Sequence, residues 1–190
     1  MNSIIRLSKE RDWGTAFAVK QAGKLRFITA AHVLKACGIP IGAQQGTVDM
    51  CDQLDLQFLT GPKQYQLTNI VWEECGDYVE FDSTFNAAPF SKGSPPKVGA
   101  QLKAIGYLLT YDHKMPDCGV IVDYQASLAN IAPWRDCSLK RAELDIQSMV
   151  ADLVGMSGCP IIDEAGDVIA FLVGTLENAG GPPYQATLLS

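Results

Sequence analysis

The sequence lacks long hydrophobic runs and has few charged and few aromatic residues. Charged residues make up 19% and aromatic residues 8% of the 190 positions, while 47% are hydrophobic. No apolar stretch approaches the roughly 20 residues that a membrane-spanning helix needs. The composition also lies outside the weakly hydrophobic, highly charged range of disordered chains. We therefore expect a single folded unit, residues 1–190, that does not associate with membranes.

Positive charge is scarce, with 15 Lys and Arg against 21 Asp and Glu and a net charge of −6. A negatively charged protein repels phosphate backbones and anionic lipid. We therefore expect no nucleic-acid partner and no membrane-surface partner. Residues 1–12 are polar and mixed in charge, unlike a secretory signal.

Close cysteine pairs are also missing. The six cysteines show no C-x-x-C spacing and lie at Cys37, Cys51, Cys75, Cys118, Cys137 and Cys159. Without a secretory signal they are typical of buried thiols rather than of a disulfide framework or a zinc site. We expect a reducing compartment, the cytoplasm, and no bound metal.

Short apolar segments separated by turn residues are abundant. Many short strands at close spacing predict an all-β fold, a sandwich or barrel. The predicted strands cover residues 15–19, 25–30, 54–59, 66–71, 78–81, 102–108, 120–124, 160–162 and 168–174. Residues 139–154 have loosely helical spacing, and we interpret them as a mixed loop.

The three prolines and one glycine of residues 87–97 are typical of a linker. We accordingly divide the chain into a first half (1–88), a linker (89–97) and a second half (98–190).

One histidine ends a predicted strand in the segment Thr29-Ala30-Ala31-His32. A strand end holds a side chain firmly, and small neighbours leave room for an imidazole to meet a nucleophile and a carboxylate. Taken alone, such a histidine is more often structural.

A serine between glycines occupies the segment Gly155-Met156-Ser157-Gly158-Cys159-Pro160. Glycines permit a sharp turn that exposes the serine hydroxyl. The amides of Gly155 and Ser157 can then point into one pocket, as an oxyanion hole requires. Taken alone, the segment is equally typical of an ordinary glycine-rich turn.

Together these segments resemble the trypsin-like (chymotrypsin-fold) serine peptidases. In that family a Gly-Thr-x-Phe strand, here Gly14-Thr15-Ala16-Phe17, precedes the histidine box, and Gly-x-Ser-Gly-x-Pro surrounds the nucleophile. Residues 98–107 resemble the opening strand of the second barrel. The resemblance implies two six-stranded antiparallel β-barrels, with the active site in the cleft between them.

The resemblance further implies a serine endopeptidase without metal or organic cofactor, acting on peptides or proteins. His32 would be the general base and Ser157 the nucleophile that forms an acyl-enzyme. An inactive member of the fold that binds proteins is the alternative. Met156 stands where the digestive enzymes of the family have an aspartate, and Val33 stands where they have a cysteine. Both differences favour a processing enzyme of viral or bacterial type. A viral enzyme of this kind would act in the host cytoplasm.

Three aspartates compete for the place of the triad carboxylate. The spacing after His32 and the two predicted strands between them favour Asp77, followed by Asp82 and then Asp55. The choice stays open at this point, because Asp82, before Ser83-Thr84-Phe85, fits nearly as well, and Asp55 has the more apolar segment after it.

The resemblance also predicts substrate-binding residues. The strand Phe171, Leu172, Val173 and Gly174 would pair with an extended peptide. Asp152 could attract a basic side chain in the primary pocket, but it is equally typical of a solvated loop, so no specificity is predicted. Cys159, two residues from Ser157, is a weaker candidate nucleophile.

Overall fold

The computed structural model describes residues 3–9, 12–58, 60–109, 119–147, 153–175 and 183–189. They form two closed β-barrels of six antiparallel strands each. No helix among the described residues is long and apolar enough to cross a membrane. The predicted all-β fold of two antiparallel barrels is confirmed.

The first barrel has the strand order β1-β2-β3-β6-β5-β4. Its elements are β1 (Ile4–Lys9), β2 (Asp12–Gln21), β3 (Lys24–Ala30), helix α1 (Ala31–Ala36), β4 (Gln45–Asp52), helix α2 (Gln53–Gln57), β5 (Lys63–Glu73), a 3-10 turn (Glu74–Gly76) and β6 (Tyr78–Ser83).

The second barrel has the strand order β10-β11-β12-β9-β8-β7. Its strands are β7 (Gln101–Leu109), β8 (Gly119–Pro133), β9 (Lys140–Ile146), β10 (Pro160–Ile162), β11 (Val168–Thr175) and β12 (Tyr184–Leu188).

Two local predictions are wrong. The segment predicted as a strand at residues 54–59 contains most of α2, because the Asp52 carboxylate accepts a hydrogen bond from the Asp55 amide at 3.0 Å and caps a helical turn. The segment interpreted as a loop at residues 139–154 begins with β9, whose alternating residues Ala142, Leu144 and Ile146 are buried.

The core extends across the junction of the barrels. Most members of the larger hydrophobic cluster come from the first barrel, yet Tyr107, Val168 and Phe171 of the second barrel belong to it as well. The Phe171 ring lies 5.9 Å from the ring of Tyr78 in β6, measured between centroids. The barrels therefore share buried apolar surface, and this packing fixes the position of one barrel relative to the other.

A disulfide joins Cys75 to Cys137, so the prediction that all six cysteines are thiols is wrong. The bond connects the 3-10 turn of the first barrel to the β8–β9 connection of the second, between residues 62 positions apart. Cys37, Cys51 and Cys159 are buried and free of disulfides. Because disulfides persist in oxidising compartments, the cysteines no longer support a reducing one.

Candidate active site

The His32 ring is held against a carboxylate. Strand β3 ends at Ala30, and α1 begins with Ala31, so His32 lies in the first turn of a short helix. Its Nδ1 lies 2.5 Å from Oδ2 of Asp77, and its backbone amide donates to Oδ1 at 2.9 Å. The ring is therefore oriented by a carboxylate that is itself held by the backbone of the same helix.

The register of β3 and β6 brings this carboxylate to the histidine. Ala30 pairs with Tyr78, and the Ala31 amide donates to the Asp77 carbonyl at 2.7 Å. Asp77 ends the 3-10 turn in the left-handed conformation, at φ 51°, which short polar side chains tolerate better than bulky ones. The turn thus reverses the chain so that the carboxylate faces His32.

The other two aspartates have different partners. The Asp82 carboxylate accepts hydrogen bonds from Arg26 at 2.6 Å and from Asn69 at 2.7 Å. Desolvation raises the pKa of Asp82, but the hydrogen bonds from Asn69 and Arg26 outweigh it, and the net shift is downward. The Asp55 carboxylate accepts from the Thr60 hydroxyl at 2.9 Å. Of the three aspartates, the structure brings Asp77 alone to the His32 ring.

The turn that carries Asp77 is hydrogen-bonded to the second barrel. The hydroxyl of Thr187, a fully buried residue in β12, donates to the Gly76 carbonyl at 2.6 Å and accepts from the indole nitrogen of Trp134 at 3.0 Å. A Cβ on Gly76 would lie 2.5 Å from the Leu139 side chain. Thr187 is not among the residues predicted from the sequence, although a threonine in an otherwise apolar strand end is a weak signal of a structural role.

The serine occupies a tight turn that requires glycine on both sides. Gly155 and Gly158 have φ angles of 90° and 84°, values that L side chains avoid. A Cβ on Gly158 would lie 2.1 Å from the Thr15 carbonyl oxygen. The Gly158 amide donates to the Leu172 carbonyl at 2.7 Å, which ties the turn to β11.

The half-buried Ser157 hydroxyl donates to the Val173 carbonyl at 3.5 Å. Within the described residues, the amides of Gly155 and Ser157 have no protein acceptor, whereas those of Met156 and Gly158 do. Two such amides, one on the serine itself and one two residues before it, can together stabilise negative charge on a substrate carbonyl oxygen.

Both barrels line the cleft that holds these groups. His32 and Ser157 face one cleft of about 300 Å³. Its walls are mainly apolar; the first barrel contributes His32, Val33 and Ala36, and the second contributes Leu153, Val154, Gly155, Ser157, Leu172, Gly174 and Tyr184. A cleft of this kind can bind an extended peptide so that it passes both the His32 imidazole and the Ser157 hydroxyl.

The predicted substrate-binding residues differ in accessibility. Val173 and Gly174 are half-buried, and Leu172 lines the cleft. Phe171 is fully buried and pairs with Pro160 and Thr187 on its two sides, so the structure does not bring it to the cleft. Asp152 lies outside the described residues.

Cys159 points into the protein interior. Its side chain is fully buried, and desolvation raises the pKa of its thiol far above the usual range. Since the thiolate is the reactive form, this environment makes Cys159 unreactive.

The described residues contain one group of three potential metal ligands, Glu73, Cys75 and Cys137. Its two sulfurs are bonded to each other, which removes the thiolates that a zinc site of this kind would need.

Comparison with known proteins supports the fold. No protein-family model and no curated protein matches the chain. The Rv3671c protease of M. tuberculosis in its active form is 18% identical with a TM-score of 0.63, over 100% of this chain and 75% of that one. An inactive-form mutant of Rv3671c gives 17% identity and a TM-score of 0.65, over 97% of this chain and 80% of that one.

The serine endoprotease from Yersinia pestis is 13% identical with a TM-score of 0.63, over 98% of this chain and 58% of that one. At these identities the likeness concerns the backbone alone. The chain has the two-barrel fold of trypsin-like serine proteases, and these neighbours are bacterial.

Proposed function

We propose that the chain is a serine endopeptidase. In this proposal His32 is the general base, Asp77 orients the imidazole, Ser157 is the nucleophile, and the amides of Gly155 and Ser157 form the oxyanion hole. The substrates are peptides or proteins, bound in extended form along Val173 and Gly174.

A single observation carries the proposal. A carboxylate-bound histidine from one barrel and a serine from the other face the same cleft, and the amides of Gly155 and Ser157 have no protein acceptor among the described residues. A purely structural histidine needs no nucleophile beside it, and a purely structural turn satisfies its amides internally. Base, nucleophile and oxyanion donors together are the set that acyl transfer requires.

The reaction starts with rotation of the Ser157 hydroxyl from the Val173 carbonyl towards His32 Nε2. The imidazole takes the hydroxyl proton while Oγ bonds to the peptide carbonyl carbon, whose oxygen becomes negative between the two amides. Asp77 stabilises the resulting imidazolium. When the C–N bond breaks, the imidazolium gives its proton to the leaving amine.

Water completes the cycle by the same steps. His32 takes a proton from a water molecule, which attacks the acyl carbon, and the ester bond to Oγ breaks as Ser157 recovers its proton. All proton transfers use one imidazole, so the proposal requires no further cofactor.

Fluorophosphonate labelling combined with cleavage of a peptide library tests the proposal. We expect one label on Ser157, and a loss of turnover of roughly 10⁴-fold or more in Ser157→Ala or His32→Ala. Ser127→Ala, which changes a half-buried serine of β8 in the same barrel, should keep both activities.

Folded wild-type protein that neither reacts with the probe nor cleaves any library peptide would contradict the proposal. That result would favour the alternative of a protein-binding module with a protease fold.

A further inference from the structure

Thr15 lies where the two motifs meet, yet the chemistry described so far gives it no task. It belongs to β2 of the first barrel and is fully buried. The turn it touches belongs to the second barrel and carries Ser157. Its hydrogen bonds therefore connect the two walls of the cleft.

All the polar atoms of Thr15 are engaged at this junction. Its hydroxyl donates to the Gly155 carbonyl at 2.9 Å and accepts from the Tyr107 amide at 3.0 Å. Its amide donates to the Ser157 carbonyl at 2.9 Å. Its carbonyl accepts from the hydroxyl of Thr29, in the histidine motif, at 2.6 Å.

The carbonyls that Thr15 holds belong to the two residues whose amides form the proposed oxyanion hole. Gly155 has no side chain to restrict rotation about its backbone bonds, and it adopts φ 90°. A hydrogen bond to its carbonyl fixes the peptide plane after Gly155 and so limits rotation about the two backbone bonds that set the direction of the Gly155 amide. The contact is buried, so water cannot readily replace the hydroxyl.

The glycine before Thr15 allows this close approach. A Cβ on Gly14 would lie 2.6 Å from the Val33 side chain and 3.2 Å from the Ser157 carbonyl oxygen. A side chain at this position would push β2 away from α1 and from the turn that carries Ser157. The pair Gly14-Thr15 therefore has a physical reason: the glycine lets the strand approach, and the threonine then bonds to the turn.

We propose that Thr15 is a positioning residue for the oxyanion hole, holding Gly155 and Ser157 from the opposite barrel through its hydroxyl and amide. The inference rests on the proposed serine peptidase function and deepens it. Because Thr15 acts on the backbone of the hole, its hydroxyl should matter more in the transition state than in substrate binding.

The test compares Thr15→Val, which keeps the shape and removes the hydroxyl, with Thr15→Ser, which keeps the hydroxyl. Tyr107→Phe is the matched control, because it removes another buried hydroxyl at the barrel junction, one that donates to the Ile4 carbonyl at 3.2 Å. Each variant is assayed well below its measured unfolding temperature, so that loss of folded protein does not enter the rates.

The measurements are kcat and KM for a cleaved peptide and the affinity of a peptide boronic acid with the same sequence. The boronate forms a tetrahedral adduct that uses the oxyanion hole, whereas the bound peptide substrate depends on it less. For Thr15→Val we expect kcat and boronate affinity to fall about 10- to 100-fold with KM nearly unchanged. Thr15→Ser and Tyr107→Phe should stay within about threefold of wild type.

Three results would overturn the inference, and they differ in what else they overturn. If wild type cleaves peptides and Thr15→Val keeps its kcat and boronate affinity, the positioning role is wrong and the peptidase function stands. If wild type neither cleaves peptides nor binds the boronate, the proposed function and the positioning role are both wrong. Equal losses in Thr15→Val and Tyr107→Phe would also overturn it, since they would show a general effect of destabilisation.

Discussion

At the scale of single residues, the proposed chemistry depends on how Asp77 is held. Its two carboxylate oxygens have different partners, the His32 ring and the His32 amide. An acceptor that binds both groups fixes the ring plane and selects the tautomer whose Nδ1 carries the proton. The remaining nitrogen, Nε2, is then the one available to accept a proton from Ser157.

Replacing Asp77 by asparagine tests this role. The amide keeps the size of the carboxylate but cannot stabilise an imidazolium, and it can select the wrong tautomer. We expect kcat to fall by roughly 10³- to 10⁴-fold in Asp77→Asn, measured with the best peptide of a library at constant pH.

Asp82→Asn is the control for this prediction, because Asp82 is also hydrogen-bonded but to Arg26 and Asn69. It should lower the free energy of unfolding by about 1 kcal/mol and leave kcat within about twofold of wild type. Equal losses of kcat in the two variants would refute the role of Asp77.

At the scale of elements, the 3-10 turn before Asp77 is held from both sides. Its own barrel fixes it through the pairing of β3 with β6, and the second barrel fixes it through Thr187 and the disulfide between Cys75 and Cys137. The proposed triad carboxylate thus depends on a connection, β8 to β9, that lies outside its own barrel.

Removing the disulfide should destabilise the protein. A bond between residues 62 positions apart restricts the unfolded chain considerably, and we expect Cys75→Ser with Cys137→Ser to lower the free energy of unfolding by about 2–4 kcal/mol. Urea unfolding with and without reductant measures the effect. Reductant should lower the wild-type midpoint and leave that of the double variant unchanged; an unchanged wild-type midpoint would contradict the prediction.

At the scale of the whole molecule, the two barrels depend on each other through packing and hydrogen bonds. Phe171 of the second barrel packs in the cluster made largely by the first, while Thr15 of the first barrel bonds to the turn that carries Ser157 in the second. Each barrel therefore contributes buried residues that stabilise the other side of the cleft. We therefore expect the barrels to unfold together rather than one after the other.

Single-tryptophan variants that retain either Trp72 in the first barrel or Trp134 in the second test this expectation. The fluorescence transitions of the two variants should coincide. Phe171→Ala removes a fully buried ring and should lower the free energy of unfolding by about 3–5 kcal/mol, shifting both transitions together. Separate midpoints for the two single-tryptophan variants would disprove cooperative unfolding.

The amino-acid sequence by itself determined the fold class and the segments that form the candidate site. Alternating apolar residues and frequent turn residues specify strands because these patterns act locally. The same local reasoning failed for α2, where one capping aspartate outweighed an alternating apolar segment, and for β9, whose short alternation is followed by residues with loosely helical spacing. The histidine and serine motifs were recognisable because each is a short contiguous segment.

The tertiary structure alone decided which distant residues meet. Asp77 lies 45 positions from His32, Cys137 lies 62 from Cys75, Thr187 lies 111 from Gly76, and Gly155 lies 140 from Thr15. These contacts depend on strand register and on how two closed barrels dock. A shift of one residue in a strand reverses which side chains face the core, so local sequence patterns do not contain this information.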